Sequence, residues 1–411
     1  MPAVRLSAGW VVPVDAPPIP AGAVLIGPDG FVERVGPDAE VPRPPGVPVA
    51  DFPRAALLPG LVNAHTHLEL TGLEGQVTDD DFTVWVGRLT ALKQRRPLAE
   101  YLEAARRGVA ECWAGGVTTV GDTGDRAVVL RALTEMGGSG VAYQEVFGPH
   151  PDQCETSLAG LQAAVAELRR FESARVRLGV SPHAPYTVSG ALYRAAARWA
   201  RSEGLPLAVH LAESSAETEF LRSGTGPFAE AWRRRDIPLP PGGRSPVRWL
   251  EEHGVLGPDT LCIHAVQVDR EDVAHLAAAG AAVAHCPRAN RRHGHGDAPL
   301  ADYLAAGLRV GLGTDSVVSL APLDLLAEAR AARALARLDA GAAVELATLG
   351  GARTLGLAHE IGSLTPGKWG DAAVVAIPPG TDTPAEAVLA AERAQLLATY
   401  LGGREVFRRA W

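Results

Sequence analysis

Cysteine and lysine are both scarce in this sequence. Four of the 411 residues are cysteine, and they are scattered along the chain with no CxxC pair: Cys112, Cys154, Cys262 and Cys286. That spacing provides neither a zinc finger nor a disulfide framework, so we expect buried free thiols. Lys93 and Lys368 are the only lysines, and the basic residues are otherwise arginine.

The sequence also lacks long apolar runs and an excess of positive charge. No run approaches the roughly 18 apolar residues that a membrane-spanning helix needs. The N-terminal residues MPAVRLSAGWVV do not follow the pattern of a signal peptide. The formal net charge of −8 argues against general electrostatic binding to nucleic acid or anionic lipid. We therefore expect a cytoplasmic protein whose partners include neither nucleic acid nor a membrane.

The middle of the chain alternates short β-branched runs with helical patterns. Eight runs are predicted to be buried strands, over residues 56–65, 116–122, 141–148, 176–183, 206–213, 260–267, 281–287 and 308–315. This alternation predicts an α/β fold, a TIM-like (β/α)8 barrel. A doubly wound sheet is the alternative. It would normally carry a glycine-rich phosphate loop after its first strand, where this chain has HTHLEL.

One helix between these strands has clear signals at both ends. In DREDVAHLAAAG, Asp269 is expected to cap the N-terminus and Asp272 to stand at the third helical position. Gly280 is expected to end the helix.

The two ends of the chain differ in composition from the middle. Residues 1–57 are rich in proline, valine and glycine, and VLIGPDGFVERVG predicts a hairpin with Asp-Gly at its turn. Residues 362–411 begin with the turn-rich GSLTPGKWGDAAVV. Since neither end can hold a stable sheet alone, we expect both to form one small β-sandwich domain beside a barrel of residues 58–361.

Polar residues recur at the C-terminal ends of the predicted strands, where barrels of this type carry their catalytic groups. They are His65, His67, His183, His210, Glu213, His264, His285, Arg288 and Asp315. His65 and His67 share a face because side chains alternate along a strand. With His210 and Asp315 they form an N3O donor set that suits zinc or ferrous iron. Taken singly, His210 could be a buried structural histidine and Asp315 a helix cap. Agreement among separate strand ends favours the metal.

The remaining strand-end residues supply candidate catalytic groups. Glu213 can take a proton from a water at the metal and return it to a leaving group. His264 can hydrogen-bond the attacking water or the developing oxyanion, with a core position as the alternative. Glu213, His264 and Asp315 are therefore the predicted catalytic residues.

Other histidines have less certain roles in the sequence. His183 is expected to touch substrate, with a structural role as the alternative, and His285 fits either role equally well. His293 and His295 repeat the HxH spacing in the glycine-rich segment RRHGHGDAP. Because no strand precedes them, they are interpreted as loop residues or as the rim of the substrate site.

The scarcity of lysine bears on the number of metal ions. Some metal barrels bridge two metals with a carboxylated lysine at the end of the fourth strand. Neither Lys93 nor Lys368 lies near that strand in the sequence. The sequence therefore predicts one divalent metal ion, zinc with iron as the alternative.

The strand-end segments resemble the amidohydrolase superfamily, in its branch with a single metal that deaminates purines and pyrimidines or dechlorinates triazines. They are PGLVNAHTH (59–67), SPHAPYT (181–187), VHLAE (209–213), IHAVQVD (263–269), HCPRAN (285–290) and GLGTDS (311–316). GSLTPGKWGDAAVV (362–375) is typical of the flanking β domain. The resemblance implies the same metal ligands, with Glu213 as proton shuttle and His264 and His183 serving water and substrate. Ala289 departs from the family's CPxSN pattern, which usually has serine there.

Within this branch, HTHLEL and HLAESSAETEFLRSGTGPF (210–228) are most similar to the aminodeoxyfutalosine deaminases. Their substrate is an adenine nucleoside whose sugar carries a carboxyphenyl ketone. The resemblance implies attack of an activated water on the amino-bearing purine carbon and loss of ammonia. The resemblance also implies a homodimer, an expectation that rests on the family alone and not on any residue of this sequence. The candidate substrate contacts beside His183 are Glu69, His285, Arg288 and Asn290, although Glu69 could instead cap the strand end. Arg288, Arg291 and Arg292 are the candidate partners for the carboxylate, with a solvated basic loop as the alternative.

Three alternatives stay open at this point. The chain could deaminate S-adenosylhomocysteine, methylthioadenosine, adenosine or guanine instead. It could be a hydrolase that expels chloride or opens a cyclic amide with the same metal and water. It could also be a catalytically inactive barrel that serves as a binding protein, which the complete ligand set argues against.

Overall fold

Fifteen strands form two sheets in the computed structural model, which describes residues 3–409. In chain order they are β1 (Val4–Val11), β2 (Ile19–Ile26), β3 (Val32–Pro37), β4 (Val49–Pro59), β5 (Leu61–Thr66), β6 (Val117–Gly124), β7 (Gly140–Val146), β8 (Val176–Pro182), β9 (Leu207–Leu211), β10 (Thr260–His264), β11 (Ala282–His285), β12 (Arg309–Leu312), β13 (Ala372–Ala376), β14 (Leu396–Leu401) and β15 (Arg404–Arg408).

The eight strands β5–β12 lie side by side in sequence order, and all neighbouring pairs are parallel. The ring closes just beyond β12, where Thr66 bridges Asp315 and the Thr314 amide donates to the His65 carbonyl at 3.0 Å. This closure confirms the predicted TIM-like barrel. A doubly wound sheet is excluded, because its strand order reverses at a switch point.

Helices follow each strand of the barrel. The helices are α1 (Phe82–Arg95), α2 (Leu98–Ala114), α3 (Val129–Met136), α4 (Cys154–Leu168), α5 (Gly190–Ser202), α6 (Ser215–Ser223), α7 (Gly226–Arg233), α8 (Pro246–Glu252), α9 (Arg270–Ala279), α10 (Pro287–Arg292), α11 (Leu300–Ala305), α12 (Leu325–Ala336), α13 (Ala340–Glu345), α14 (Gly351–Thr354) and α15 (Pro384–Ala390). Within residues 3–409, none of the helices combines the length and apolar character needed to cross a membrane.

The predicted signals at the ends of α9 are present. The Asp269 carboxylate accepts hydrogen bonds from the amides of Glu271 and Asp272, and the Asp272 side chain accepts from the Asp269 amide. Gly280 ends the helix in the left-handed conformation at φ +68°. This reciprocal capping satisfies amide groups that have no partner inside the helix.

The second sheet is built from both ends of the chain, as expected. Its strand order is β15-β14-β13-β4-β1-β2-β3, with β1 and β4 parallel and the other neighbours antiparallel. It buries its own apolar cluster, which includes Leu6, Ile26, Leu57 and Tyr400. The domain limits 1–57, 58–361 and 362–411 stay predictions. Residues 1–2 and 410–411 of these ranges lie outside the described residues.

All four cysteines are free thiols, as the sequence predicts. Cys112, Cys262 and Cys286 are buried, and Cys154 is half-buried at the start of α4.

Candidate active site

Three barrel strands end in an unusual backbone conformation at the same rim. Ala212 after β9, His264 at the end of β10 and Asp315 beyond β12 have φ values of +48°, +69° and +57°. None of them is glycine, so each conformation costs about 1–3 kcal/mol and persists only where the surroundings impose it. Backbone strain of this kind concentrates at functional sites, which marks this rim as the candidate active site.

Four potential metal ligands meet at this rim. The ligand atoms of His65, His67 and His210 lie within 4.8 Å of one another. Oδ1 of Asp315 is 3.7 Å from Nε2 of His65 and 3.5 Å from Nε2 of His67. The structure thus brings together all four residues of the predicted donor set.

Hydrogen bonds orient the histidine rings of this cluster. Nδ1 of His67 donates to the Thr123 carbonyl at 2.8 Å, and Nδ1 of His210 faces the His183 carbonyl at 3.3 Å. Each ring therefore keeps its Nε2 lone pair for a ligand bond. Both ring nitrogens of His65 are buried and have no hydrogen-bond partner among residues 3–409. A divalent ion bound to Nε2 would remove that cost at this nitrogen, so the donor set fits zinc or iron.

Burial keeps these histidines in the form that binds metal. It is the main cause that lowers the pKa of His67, with a further contribution from His65, to about 3. Burial likewise lowers the pKa of His65 and His210. All three rings are therefore neutral near pH 7, as metal ligation requires.

Glu213 lies beside this cluster between two imidazoles. Its Oε1 is 3.6 Å from Nε2 of His264 and 3.3 Å from Nε2 of His295. Burial alone would raise the pKa of Glu213, but the nearby His264 and His295 outweigh it and lower that pKa to about 2. The carboxylate is therefore ionised and able to accept a proton.

Asn290, a predicted substrate contact, binds the ring nitrogen of His264 that faces away from Glu213. Nδ1 of His264 donates to Oδ1 of Asn290 at 2.9 Å, and both side chains are buried. Asn290 therefore orients His264 and does not line the cavity above Glu213.

A cavity of about 430 Å³ opens over Glu213, His264 and Asp315. Its apolar wall consists largely of Phe82, Trp85, Val86, Leu89, Phe147 and Tyr186. His183 lies on this wall with its ring centroid 4.8 Å from that of Phe147. Its Nδ1 is 2.8 Å from the Thr187 hydroxyl. His183 thus lines the cavity, and its contact with a substrate stays a prediction.

Glu69 is buried and does not line the cavity, as a contact with substrate would require. Its carboxylate accepts from the amides of Asp125 and Arg126 at 3.4 and 3.2 Å and faces the Lys93 ammonium at 3.5 Å. Burial raises the pKa of Glu69 to about 7, against the opposing effect of Lys93. The side chain lies behind the cavity wall, where these three contacts occupy it.

The arginines considered for a substrate carboxylate point elsewhere. Arg288 faces Glu328 at 3.7 Å, Arg291 pairs with Asp297 at 2.6 Å, and Arg292 is 3.6 Å from Asp80. None of the three lines the cavity as the structure describes it. His285 is also fully buried away from the cavity. Neighbouring carboxyl groups account for the positions of the three arginines, and deep burial accounts for that of His285.

Sequence reasoning missed a positioning residue, Glu217 on α6. Its carboxylate accepts from the amides of Ala212 at 2.7 Å and Glu213 at 3.1 Å, and so holds the strained segment after β9. Ser214 and Glu217 form an S-x-x-E pattern, with the Ser214 side chain accepting from the Glu217 amide. That pattern marks a helix N-terminus and was the available signal.

Helix α1 is the second feature that sequence reasoning missed. It follows β5, and its residues Phe82, Trp85, Val86 and Leu89 form much of the apolar wall. Their helical spacing and the Asp81 cap were the available signals. Lys93 near its end also lines the cavity, although it is far in sequence from the fourth barrel strand. Its ammonium pairs with Asp125 at 2.8 Å.

Comparisons with known proteins agree on one family. A family model described as the amidohydrolase family matches residues 56–406. The aminodeoxyfutalosine deaminase of Deinococcus radiodurans is 34% identical over 350 residues, which covers 82% of this chain and 82% of the relative. The 5-methylthioadenosine/S-adenosylhomocysteine deaminase of Moorella thermoacetica is 30% identical over 418 residues, covering 97% of this chain and 92% of the relative.

A solved structure has the same fold over nearly the whole chain. It is an adenosine deaminase from Xanthomonas campestris with bound zinc, which superposes with a TM-score of 0.85 at 25% identity. The match covers 98% of this chain and 92% of that one.

Proposed function

Because this chain belongs to the amidohydrolase family and is a hydrolase that acts on carbon–nitrogen bonds, we propose that it deaminates aminodeoxyfutalosine. This nucleoside carries adenine and a carboxyphenyl ketone on its sugar, and the reaction releases ammonia. The observation that carries the proposal is the ionised Glu213 beside the His65, His67, His210 and Asp315 cluster, at the floor of an aromatic cavity.

The residues of the site divide the chemistry among them. His65, His67, His210 and Asp315 would hold a zinc or iron ion, which would supply the Lewis acidity that activates a water. Glu213 removes the proton of the attacking water and delivers it to the purine ring nitrogen. His264, whose Nδ1 proton is engaged by Asn290, hydrogen-bonds the attacking water through Nε2. The second proton of the water passes through Glu213 to the amino group, which leaves as ammonia as the carbon–nitrogen bond breaks and the carbonyl forms.

The cavity wall supports an aromatic substrate. Purine and phenyl rings both present large flat apolar surfaces, and Phe82, Trp85, Phe147 and Tyr186 offer ring contacts for them. The relative from Deinococcus radiodurans, an aminodeoxyfutalosine deaminase by name, supports the same assignment.

A second candidate is deamination of methylthioadenosine or S-adenosylhomocysteine. The relative from Moorella thermoacetica, named for both substrates, covers nearly the whole chain and supports it. The two candidates share the adenine and the proposed chemistry, and differ in the arm on the sugar.

The test is ammonia release and the change in purine absorbance across a panel of nucleosides with zinc-loaded protein. We expect the highest kcat/KM with aminodeoxyfutalosine, followed by methylthioadenosine, S-adenosylhomocysteine and adenosine. A higher kcat/KM with S-adenosylhomocysteine than with aminodeoxyfutalosine would move the assignment to the second candidate. No ammonia from any nucleoside would overturn both.

A further inference from the structure

Three cationic side chains line the cavity, and two of them are engaged. The Lys93 ammonium pairs with Asp125 at 2.8 Å. Arg126 faces Asp125 at 3.4 Å and lies 5.1 Å from the ring centroid of Tyr101. The Arg235 guanidinium has no hydrogen-bond or ion-pair partner anywhere in residues 3–409. Among the three, only Arg235 is therefore available to an anionic ligand.

The backbone of Arg235 is fixed to the cavity wall. The amides of Arg235 and Ile237 both donate to the Trp232 carbonyl at 3.0 Å, and Asp236 between them turns the chain at φ +52°. The Trp232 indole donates in turn to the carbonyl of Tyr186, which lines the cavity, at 2.8 Å. The backbone at Arg235 is thus held beside the cavity, while its exposed side chain leaves the guanidinium available.

We propose that Arg235 binds a carboxylate on the sugar arm of the substrate and so selects nucleosides with an acidic arm. This inference rests on the proposed function and assigns the anion-binding role that Arg288, Arg291 and Arg292 do not fill. A guanidinium forms two parallel hydrogen bonds to a carboxylate. The aromatic wall beside it would contact the phenyl ring that carries this group.

The first test compares an acidic and a neutral substrate in the variant Arg235→Gln. We expect kcat/KM for aminodeoxyfutalosine to fall about tenfold or more, mainly through KM, because a charge-assisted contact is lost. We expect kcat/KM for methylthioadenosine, whose arm carries no charge, to change by less than about twofold, since the contact contributes nothing there.

Two variants control for charge and for local structure. Arg235→Lys keeps the positive charge but lacks the planar guanidinium. It should retain only part of the wild-type kcat/KM for aminodeoxyfutalosine. Arg234→Gln removes the adjacent arginine, which faces Glu230 at 3.8 Å outside the cavity, and should leave both substrates unaffected. An equal loss with both substrates, or no loss with either, would overturn the proposal.

A binding measurement tests Arg235 independently of turnover. We expect 3-acetylbenzoate to bind the zinc-loaded wild-type protein and Arg234→Gln equally in ligand-observed NMR, and Arg235→Gln about tenfold more weakly. The neutral acetophenone should not distinguish the three proteins. Equal 3-acetylbenzoate affinity in all three would refute the role of Arg235. Absence of any deaminase activity together with selective 3-acetylbenzoate binding would instead refute the proposed function alone.

Discussion

The carboxylate of Glu213 stands at the centre of the proposed chemistry, 3.6 Å from His264 and 3.3 Å from His295. Neither imidazole belongs to the four-residue donor cluster. The structure therefore separates the residues that would hold a metal from the residue that would move a proton. This separation makes the two roles accessible to single substitutions.

Glu213→Gln should retain the metal and lose activity. The amide keeps the shape of the side chain but cannot accept a proton, so kcat should fall by at least about a hundredfold. Steady-state kinetics and zinc content by elemental analysis check this. Glu219→Gln, on the exposed side of α6, is the matched control and should behave as wild type. Near-normal turnover in Glu213→Gln would remove Glu213 from the mechanism.

For single residues, the sequence predicts which side chains stand at the ends of strands but not which residues they contact. The donor cluster was predictable because each member ends a buried strand, and a closed barrel brings such ends together. The environments of Glu69 and Arg288 could not be predicted. Lys93, the partner of Glu69, is 24 positions away, and Glu328, the partner of Arg288, is 40 positions away. Pairing at that distance has no local signature.

At the scale of elements, α1 couples the cavity wall to a buried ionic cluster. Lys93 near its C-terminus contacts Glu69 after β5 and Asp125 after β6. The same helix presents Phe82, Trp85 and Leu89 to the cavity. Packing of the wall and pairing of the buried charges are therefore linked through one element.

Lys93→Met should destabilise the protein markedly. It leaves Glu69 buried without its cation, and breaking a buried pair costs about 3 kcal/mol or more. Lys368→Met is the matched control, because it removes the other lysine, whose Nζ donates to the Ser363 hydroxyl at 2.7 Å. The midpoint of thermal unfolding should drop clearly more for Lys93→Met. Adding Glu69→Gln to Lys93→Met should recover part of the loss, and equal drops in the two single variants would contradict the account.

Glu328 on α12 should make stability fall as pH rises. Burial raises its pKa from 4.5 to about 8, against the opposing bonds from Arg288. The native carboxyl then keeps a proton that the unfolded chain releases. The favourable contribution of this group to the free energy of unfolding is therefore lost between about pH 4.5 and 8. The slope from this group is at most about 1.4 kcal/mol per pH unit.

Glu328→Gln removes this titration while keeping an oxygen for the Arg288 amide. The variant should therefore gain in thermal midpoint relative to wild type as pH is raised from 5.5 to 8. Scanning calorimetry at both pH values measures the difference, and any effect of pH on metal binding is common to the two proteins. Parallel curves for the two proteins would be evidence against the raised pKa.

Helices and strands could be predicted where their apolar residues recur with a clear period. All eight barrel strands were predicted as buried runs between helical patterns, although the first prediction, 56–65, joined the end of β4 to β5. The caps of α9 were found because Asp269 and Gly280 satisfy its terminal groups locally. Helix α1 was missed because it interrupts the regular strand–helix alternation, and its apolar face covers a cavity instead of the barrel wall.

At the scale of the whole molecule, the chain crosses from the small sheet into the barrel at one residue. Gly60 joins β4 directly to β5, and a Cβ there would come within 2.1 Å of the Thr118 hydroxyl. The sequence predicted that both chain ends form one β unit, because neither could bury a face alone. The pairing of β4 with β1 and β13 in one continuous sheet needed the structure, because partner choice between distant strands is set by three-dimensional packing.

The most direct test of the central claim, that this barrel is a deaminase with one metal ion, is a zinc titration of the metal-depleted protein. Ammonia release from aminodeoxyfutalosine and methylthioadenosine is followed as zinc is added, with ferrous iron in a parallel series. The four-ligand cluster predicts activity that rises in proportion to metal, reaches its plateau at one ion per chain, and disappears again with a chelator. Full activity without metal, or a plateau only at two ions per chain, would contradict it.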